Sequence, residues 1–278
     1  SRAGVTTRAC RVAGAVALLT VSLSTWWLRR PSSARTWSGD QARLPRVRFD
    51  GHLVHVQDVR NFAYRSEYDF DERWEDRTWD LDRLASVWFV LVPLSEKWRG
   101  PAHAFVSFGF DDGTYASISI EARREQGERY SPVKGLFRRY ELIYVVGDER
   151  DVIGRRAIHD GNPVYLFPIN ATREAIRAIF VEMLTRAHAL NEHPAFYNTL
   201  TDNCTNLLIR HVKQAVPDRI RAGIAAVLPG YADDVAVRLE LIASVTTVEE
   251  ARRRFRINDK ARAAEHAPDF SERIRAAD

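Results

Sequence analysis

Two neighbouring stretches limit what this chain can fold into more than any other part of it. Between positions 103 and 110 the even residues Ala104, Val106, Phe108 and Phe110 are apolar, and the odd ones are His103, Phe105, Ser107 and Gly109. Between 115 and 122 the division repeats, with Ala116, Ile118, Ile120 and Ala122 against Tyr115, Ser117, Ser119 and Glu121. An alternation of period two marks a strand with two unlike faces. Two such strands joined by Asp111-Asp112-Gly113 read as a hairpin. Cross-strand neighbours share a face, so the apolar sets register only when paired residue numbers sum to an even value. That excludes a two-residue turn, and a three-residue Asp111-Asp112-Gly113 loop, with Gly113 in the left-handed conformation, satisfies it. Phe110 then pairs with Thr114, and the same register sets His103 opposite Glu121.

The rest of the chain extends this into an α+β fold. Strands are expected at 47–56, 87–94, 140–146 and 164–167, and helices at 171–191 (capped by Thr172) and 204–215. Strands followed by helices indicate an antiparallel sheet packed against helices, not a parallel βαβ array. Three parts follow for the 278 residues: an anchor and linker over 1–36, a domain over 37–230 and a helical extension over 231–278. Hydrophobic residues at 45% and charged residues at 28% place the chain among globular proteins and exclude a disordered one. The net charge of +4 is too small and too dispersed to make nucleic acid the expected partner. Arginines alternate with aromatics between 58 and 82, but nine acidic residues there outweigh four arginines and would repel phosphate. That segment reads as a salt-bridged cover over the core.

Residues 12–28 carry no charge and are bracketed by Arg8 and Arg11 before and Arg29 and Arg30 after. Seventeen residues is the lower limit for a membrane-spanning helix, and Trp26 and Trp27 sit where an interfacial aromatic belt would. The run fits a transmembrane signal anchor, against the alternatives of a cleavable signal peptide and a buried helix. Cys10 precedes the run, whereas a lipidated cysteine would follow it.

Two cysteines exclude a disulfide framework and a Cys-rich zinc site, and no metal-spaced cluster, phosphate loop or Ser-His-Asp motif occurs. No metal or cofactor is expected. Cys204 lies in Asp202-Asn203-Cys204-Thr205-Asn206, where Asp202 or Asn203 is a natural N-cap. In a first helical turn the dipole and free N–H groups favour a thiolate. Cys204, Leu208, Val212 and Ala215 share a helical face directed at the body of the domain. A small buried hydrophobe is the competing reading. A thiolate nucleophile needs a base, usually histidine. His52 and His55 face opposite ways on one strand, and His188, His193 and His211 fall on helix surfaces or ends. His103 opens a core strand, and Glu121 across from it would orient the imidazole and favour its protonated form.

Five motifs together carry a family resemblance: Arg60-Asn61-Phe62-x-Tyr64-Arg65-Ser66-Glu67, Arg73-Trp74-Glu75-Asp76-Arg77-Thr78, His103-x-Phe105-Val106-Ser107-Phe108, Ser119-Ile120-Glu121-x-Arg123 and Asn203-Cys204-Thr205. The chain resembles the Lnb N-terminal periplasmic domain family over roughly positions 44–212. The family takes its name from a lipoprotein N-acyltransferase and is similar to permuted NlpC/P60, papain-like enzymes, in which the histidine strand precedes the nucleophile helix. The resemblance implies Cys204 as nucleophile and His103 as general base. Glu121 as orienting group comes from the strand register, and Asn203, Ser119 and Ser107 are substrate or oxyanion candidates. The implied function is a cysteine acyltransferase or acyl hydrolase, anchored in the bacterial inner membrane, facing the periplasm and acting on membrane lipid or lipoprotein. A cell-wall peptidase or amidase with the same dyad and a non-catalytic envelope binding domain are the alternatives.

Overall fold

The hairpin at 103–122 forms the centre of the sheet. The computed structural model describes residues 28–95, 98–215 and 229–276. Strands β1 (Arg46–Asp50), β2 (Leu53–Arg60), β3 (Ala63–Tyr64), β4 (Phe70–Asp71), β5 (Trp74–Asp80) and β6 (Leu84–Pro93) come first. β7 (Ala102–Phe110), β8 (Tyr115–Arg123), β9 (Glu141–Gly147) and β10 (Tyr165–Pro168) follow. Among the described residues the main sheet runs β1-β2-β9-β8-β7-β6-β10, with β5 also paired to β2, and β3 and β4 pair separately. The ladders are antiparallel except for one parallel contact of β2 and β9 at Arg60 and Gly147.

The hairpin register is the expected one. Val106 pairs with Ile118 and Phe108 with Ala116, the Phe110 N–H donates to Thr114 O at 2.9 Å, and Gly113 takes φ +80°. The expected strand at 47–56 is instead the two strands β1 and β2. Gly51, at φ +61°, closes a two-residue turn between Asp50 and Leu53, which leaves His52 in the turn. The segment 58–82 contributes β5 and a mesh of ion pairs, Arg65 with Asp69 and Asp71 and Arg77 with Glu75.

Both faces of the hairpin are covered. On the even-numbered face lie the helices α3 (Arg173–Ala189) and α4 (Cys204–Ala215). Phe180 of α3 packs edge-on against Phe108 and Phe110. The Thr172 side chain caps α3 by accepting from Ala175 N–H at 3.3 Å. The odd-numbered face is covered by α2 (Glu149–Gly154) and by C-terminal residues, since Glu149 bonds both Ser107 and Arg275. A short α1 (Pro132–Leu136) lies between β8 and β9 in sequence. α5 (Ala232–Arg238), α6 (Val248–Phe255), α7 (Asn258–Ala263) and α8 (Phe270–Arg273) complete the chain, and Ala251, Ala261, Phe270 and Ile274 share the main core. Cys10 and residues 12–27 of the apolar run lie outside the described residues. Among the described residues no helix is long and apolar enough to cross a membrane.

The buried stripe of α4 differs from the expected one. Cys204, Thr205, Leu207, Leu208 and His211 are buried, while Val212 and Ala215 are half-buried. His211, expected on the surface, therefore faces the core one turn beyond Leu207, 2.5 Å from the Tyr144 hydroxyl and against Glu182. Burial pushes its pKa down to about 4.

Candidate active site

The β7–β8 ladder ends at Val106 and Ile118, so the open end of the hairpin is free to hold side chains between the strands. His103, near the start of β7, stays paired to Val92 of β6, and its ring lies 5.4 Å from that of Phe105. Its Nε2 is 2.8 Å from Ser119 Oγ, and Ser119 donates to Glu121 Oε1 at 2.8 Å. The direct Nε2–Oε1 distance is 3.8 Å, too long for a hydrogen bond. The expected histidine–glutamate contact is thus a relay with a serine hydroxyl at its middle. Ser119 spends its only proton on the carboxylate, so it accepts from Nε2–H, which leaves Nδ1 as the basic atom of a neutral ring.

Glu121 is held from three sides. Oε1 also accepts from Arg156 Nη2 at 2.6 Å, and Oε2 accepts from Gln41 Nε2 at 2.9 Å. Burial opposes the charge of Glu121, but Arg156, His103, Arg60 and the Ser119 hydrogen bond together hold its pKa well below the usual carboxylate range. The imidazole's pKa also moves down, which for a base means loss of the charge. Burial and then the positive charge of Arg156 push His103 down to about 3, against the weaker upward pull of Glu121. The carboxylate opposite favours the protonated ring as expected, but burial and then Arg156 outweigh it. His103 is neutral at neutral pH.

Arg156 reaches this position through a local irregularity. Asp148 caps α2 by accepting from Arg150 N–H at 2.9 Å, and α2 runs on into a π-helical turn at Arg155–His159. The wider turn lets consecutive arginines serve different partners, Arg155 bonding Asp40 at 3.1 Å and Arg156 bonding Glu121. Two of the sequence motifs hold this helix. Arg60 and Asp151, both without solvent exposure, form a bidentate pair, and Phe62 N–H donates to Asp151 at 2.7 Å. Arg77 meets the cap residue Asp148 at 2.8 Å.

Cys204 opens α4, and Asn203 is the residue that caps it, accepting from Asn206 N–H at 2.9 Å and donating to Thr199 O at 2.8 Å. Cys204 is only 4% exposed. Burial pushes its pKa up, and the N–H groups of Ala104 and Thr205 with the Thr205 hydroxyl, 3.8 Å from Sγ, oppose this without overcoming it. Burial thus works against the thiolate that a helix start favours.

A cavity of about 510 Å³ joins these groups. Cys204 reaches it from the helix on the even face, and His103 and Glu121 from the odd face, across the parted end of the hairpin. Gln41, Arg155, Arg156, Asn203 and Tyr197 also line it, as do the apolar Val92, Leu94, Trp98, Ile120, Leu200 and Pro229 and the polar Arg124, Asp160, Asn162, Thr199 and Asn206. Ser107 is not part of it. Four residues along the strand from His103, it is fully buried and donates to Glu149, so it serves the packing of α2 and not a substrate. Sequence reading missed Arg156, Gln41 and Tyr197, for which no local motif gives a signal. Among the described residues no group of three His, Cys, Asp or Glu side chains is arranged to hold a metal ion.

No curated protein and no solved structure matches the chain at a significant level. The family profile of the Lnb N-terminal periplasmic domain matches residues 70–231, which take in His103, Ser119, Glu121, Arg156 and Cys204 and leave the motif at 60–67 just outside. With more than half of its length inside that match, the chain belongs to the Lnb N-terminal periplasmic domain family.

Proposed function

We propose that this chain is a cysteine-dependent acyltransferase or acyl hydrolase acting on lipid-linked acyl groups, anchored in the inner membrane through residues 12–28 with its domain in the periplasm. The observation that carries the reading is that Cys204 and His103 border one cavity whose lining surface is mostly apolar. The order of a histidine strand before a nucleophile helix fits a permuted papain-like arrangement. Apolar walls suit an acyl chain better than a cell-wall peptide.

Protonated thiol and neutral imidazole define the chemistry. His103 Nδ1 takes the Sγ proton as Cys204 attacks the acyl carbonyl. The tetrahedral intermediate expels the alcohol, which leaves with the proton from His103, and a thioester remains on Cys204. An acceptor amine, or water in the hydrolase case, then attacks the thioester and passes its proton through His103 back to sulfur. N–H groups of the first turn of α4 face the developing oxyanion. The Asn203 side chain contributes by fixing that turn, because its amide is already bonded to Thr199 and Asn206. Ser119, Glu121 and Arg156 act on the imidazole and not on the substrate.

Intact-mass spectrometry after incubation with a diacylated phospholipid or lipoprotein tests this. An acyl increment on Cys204, released by hydroxylamine and absent from Cys204→Ala, is the expected result. Ester consumption at an equal rate in Cys204→Ala overturns it.

A further inference from the structure

Among the described residues, most of the large exposed apolar side chains lie on one side. Leu94, Trp98, Tyr130 and Leu200 line the mouth of the Cys204 cavity and are still solvent-exposed, Trp98 at 62% and Leu200 at 63%. Val133 at 63% and Phe137 at 62% stand beside them. They belong to α1 and the residue after it, and α1 is fastened to the same rim because Thr199 Oγ1 donates to Pro132 O at 2.7 Å. Of the other exposed apolar residues, Phe49 lies on β1, Tyr231 lies two residues past the lining residue Pro229, and Tyr68 in the β3–β4 connection borders a neighbouring hollow that shares Arg124 and Arg155 with the cavity.

Two further observations say what covers this face. The rim carries positive charge, with Arg129 and Lys134 exposed on the segment that holds Tyr130, Val133 and Phe137. The uncharged run at 12–28 also ends here. Leu28 is 78% exposed, and the next residue, Arg29, donates from Nη2 to Arg139 O at 3.3 Å, two residues past Phe137. Tryptophan and tyrosine among aliphatic side chains, flanked by lysine and arginine, is the composition that settles at a lipid headgroup boundary.

We propose that this rim is a membrane-docking face. Trp98, Leu94, Leu200, Val133 and Phe137 dip into the interfacial region of an anionic bilayer, so that the cavity opens directly onto lipid and an acyl chain enters without crossing water. The proposal deepens the acyl-transfer reading by supplying the route of the substrate, and its test requires no turnover.

The full chain carrying Cys204→Ala is reconstituted into vesicles of phosphatidylethanolamine and phosphatidylglycerol with brominated acyl chains. Because the chain has seven tryptophans, the difference in emission between this protein and the same protein with Trp98→Phe isolates Trp98. Bromine should quench the Trp98 emission, and the exposed pair Val133→Glu with Phe137→Glu should remove roughly half or more of that quenching at unchanged Tm. A Trp98 signal insensitive to brominated lipid overturns the proposal, as does equal quenching in the glutamate variant. Trp98 shielded from acrylamide in detergent in proportion to protein concentration, without bromine quenching, assigns the face to a second copy and also overturns it. Failure of acyl transfer with Trp98 still quenched removes the chemistry and leaves the docking face standing.

Discussion

Replacing Ser119 by alanine separates the relay from ordinary packing. Its hydroxyl makes two hydrogen bonds, at 2.8 Å to His103 Nε2 and 2.8 Å to Glu121 Oε1. A neutral hydrogen bond contributes about 1 kcal/mol net and one to a charged group about 1.5–3 kcal/mol. Glu121 keeps Arg156 and Gln41, so its carboxylate is not left bare and the loss falls near the lower end, about 2 kcal/mol. His103 loses its only close partner on Nε2, because the carboxylate is 3.8 Å away. The ring is then free to change tautomer or rotate, and about 2 kcal/mol of lost positioning corresponds to a roughly 30-fold slower acylation of Cys204. Ser117 provides the control, two residues earlier on β8, equally buried, with a hydroxyl that has no hydrogen-bond partner. Ser117→Ala should be neutral or slightly stabilising, since an unsatisfied buried hydroxyl is removed. Urea denaturation and the rate of thioester formation by mass spectrometry are measured on both variants. If Ser119→Ala matches Ser117→Ala in stability and rate, the relay does not exist. A drop in stability at unchanged rate would make it structural alone.

Alkylation of Cys204 by iodoacetamide should accelerate as pH rises through the alkaline range, because burial lifts the thiol pKa above its ordinary value of 9.0; a plateau reached by pH 6 would reveal a thiolate–imidazolium pair instead. Acid should destabilise the protein through His103. With a folded pKa of about 3 against 6.5 unfolded, the unfolded state binds more protons between these values, so stability rises with pH across that window and is lost on acidification. His103→Gln should flatten the upper part of that slope, between about pH 6.5 and 4.5, in melts followed by circular dichroism, while His211 adds a contribution of the same sign. Arg60→Met should cost about 3–5 kcal/mol in urea denaturation by leaving Asp151 buried without its cation, and the double variant Arg60→Met with Asp151→Leu should recover much of it. A single variant within about 0.5 kcal/mol of the parent would show that the pair does not hold α2.

What the sequence determined by itself is local. Alternation along 103–110 and 115–122 allows only registers of even sum to bury both apolar sets, glycine at the third loop position selects one of them, and the structure has that register. Thr172 and Asn203 mark helix starts because the side chain that caps and the N–H it accepts from lie three residues apart. The turn at Gly51-His52 is equally local, although the apolar residues on both sides of it read as one continuous strand. Tertiary structure decided the charge and the contacts of the site. Arg156 and Gln41 reach Glu121 from 35 and 80 residues away, on elements whose sequences have no periodicity pointing at it. The raised pKa of Cys204 and the lowered pKa of His103 follow first from burial, which for His103 outweighs the pull of the neighbouring carboxylate. A strand register depends on nearest neighbours along the chain. A pKa depends on every charge and every excluded water nearby in space, and the chain order does not contain that distance.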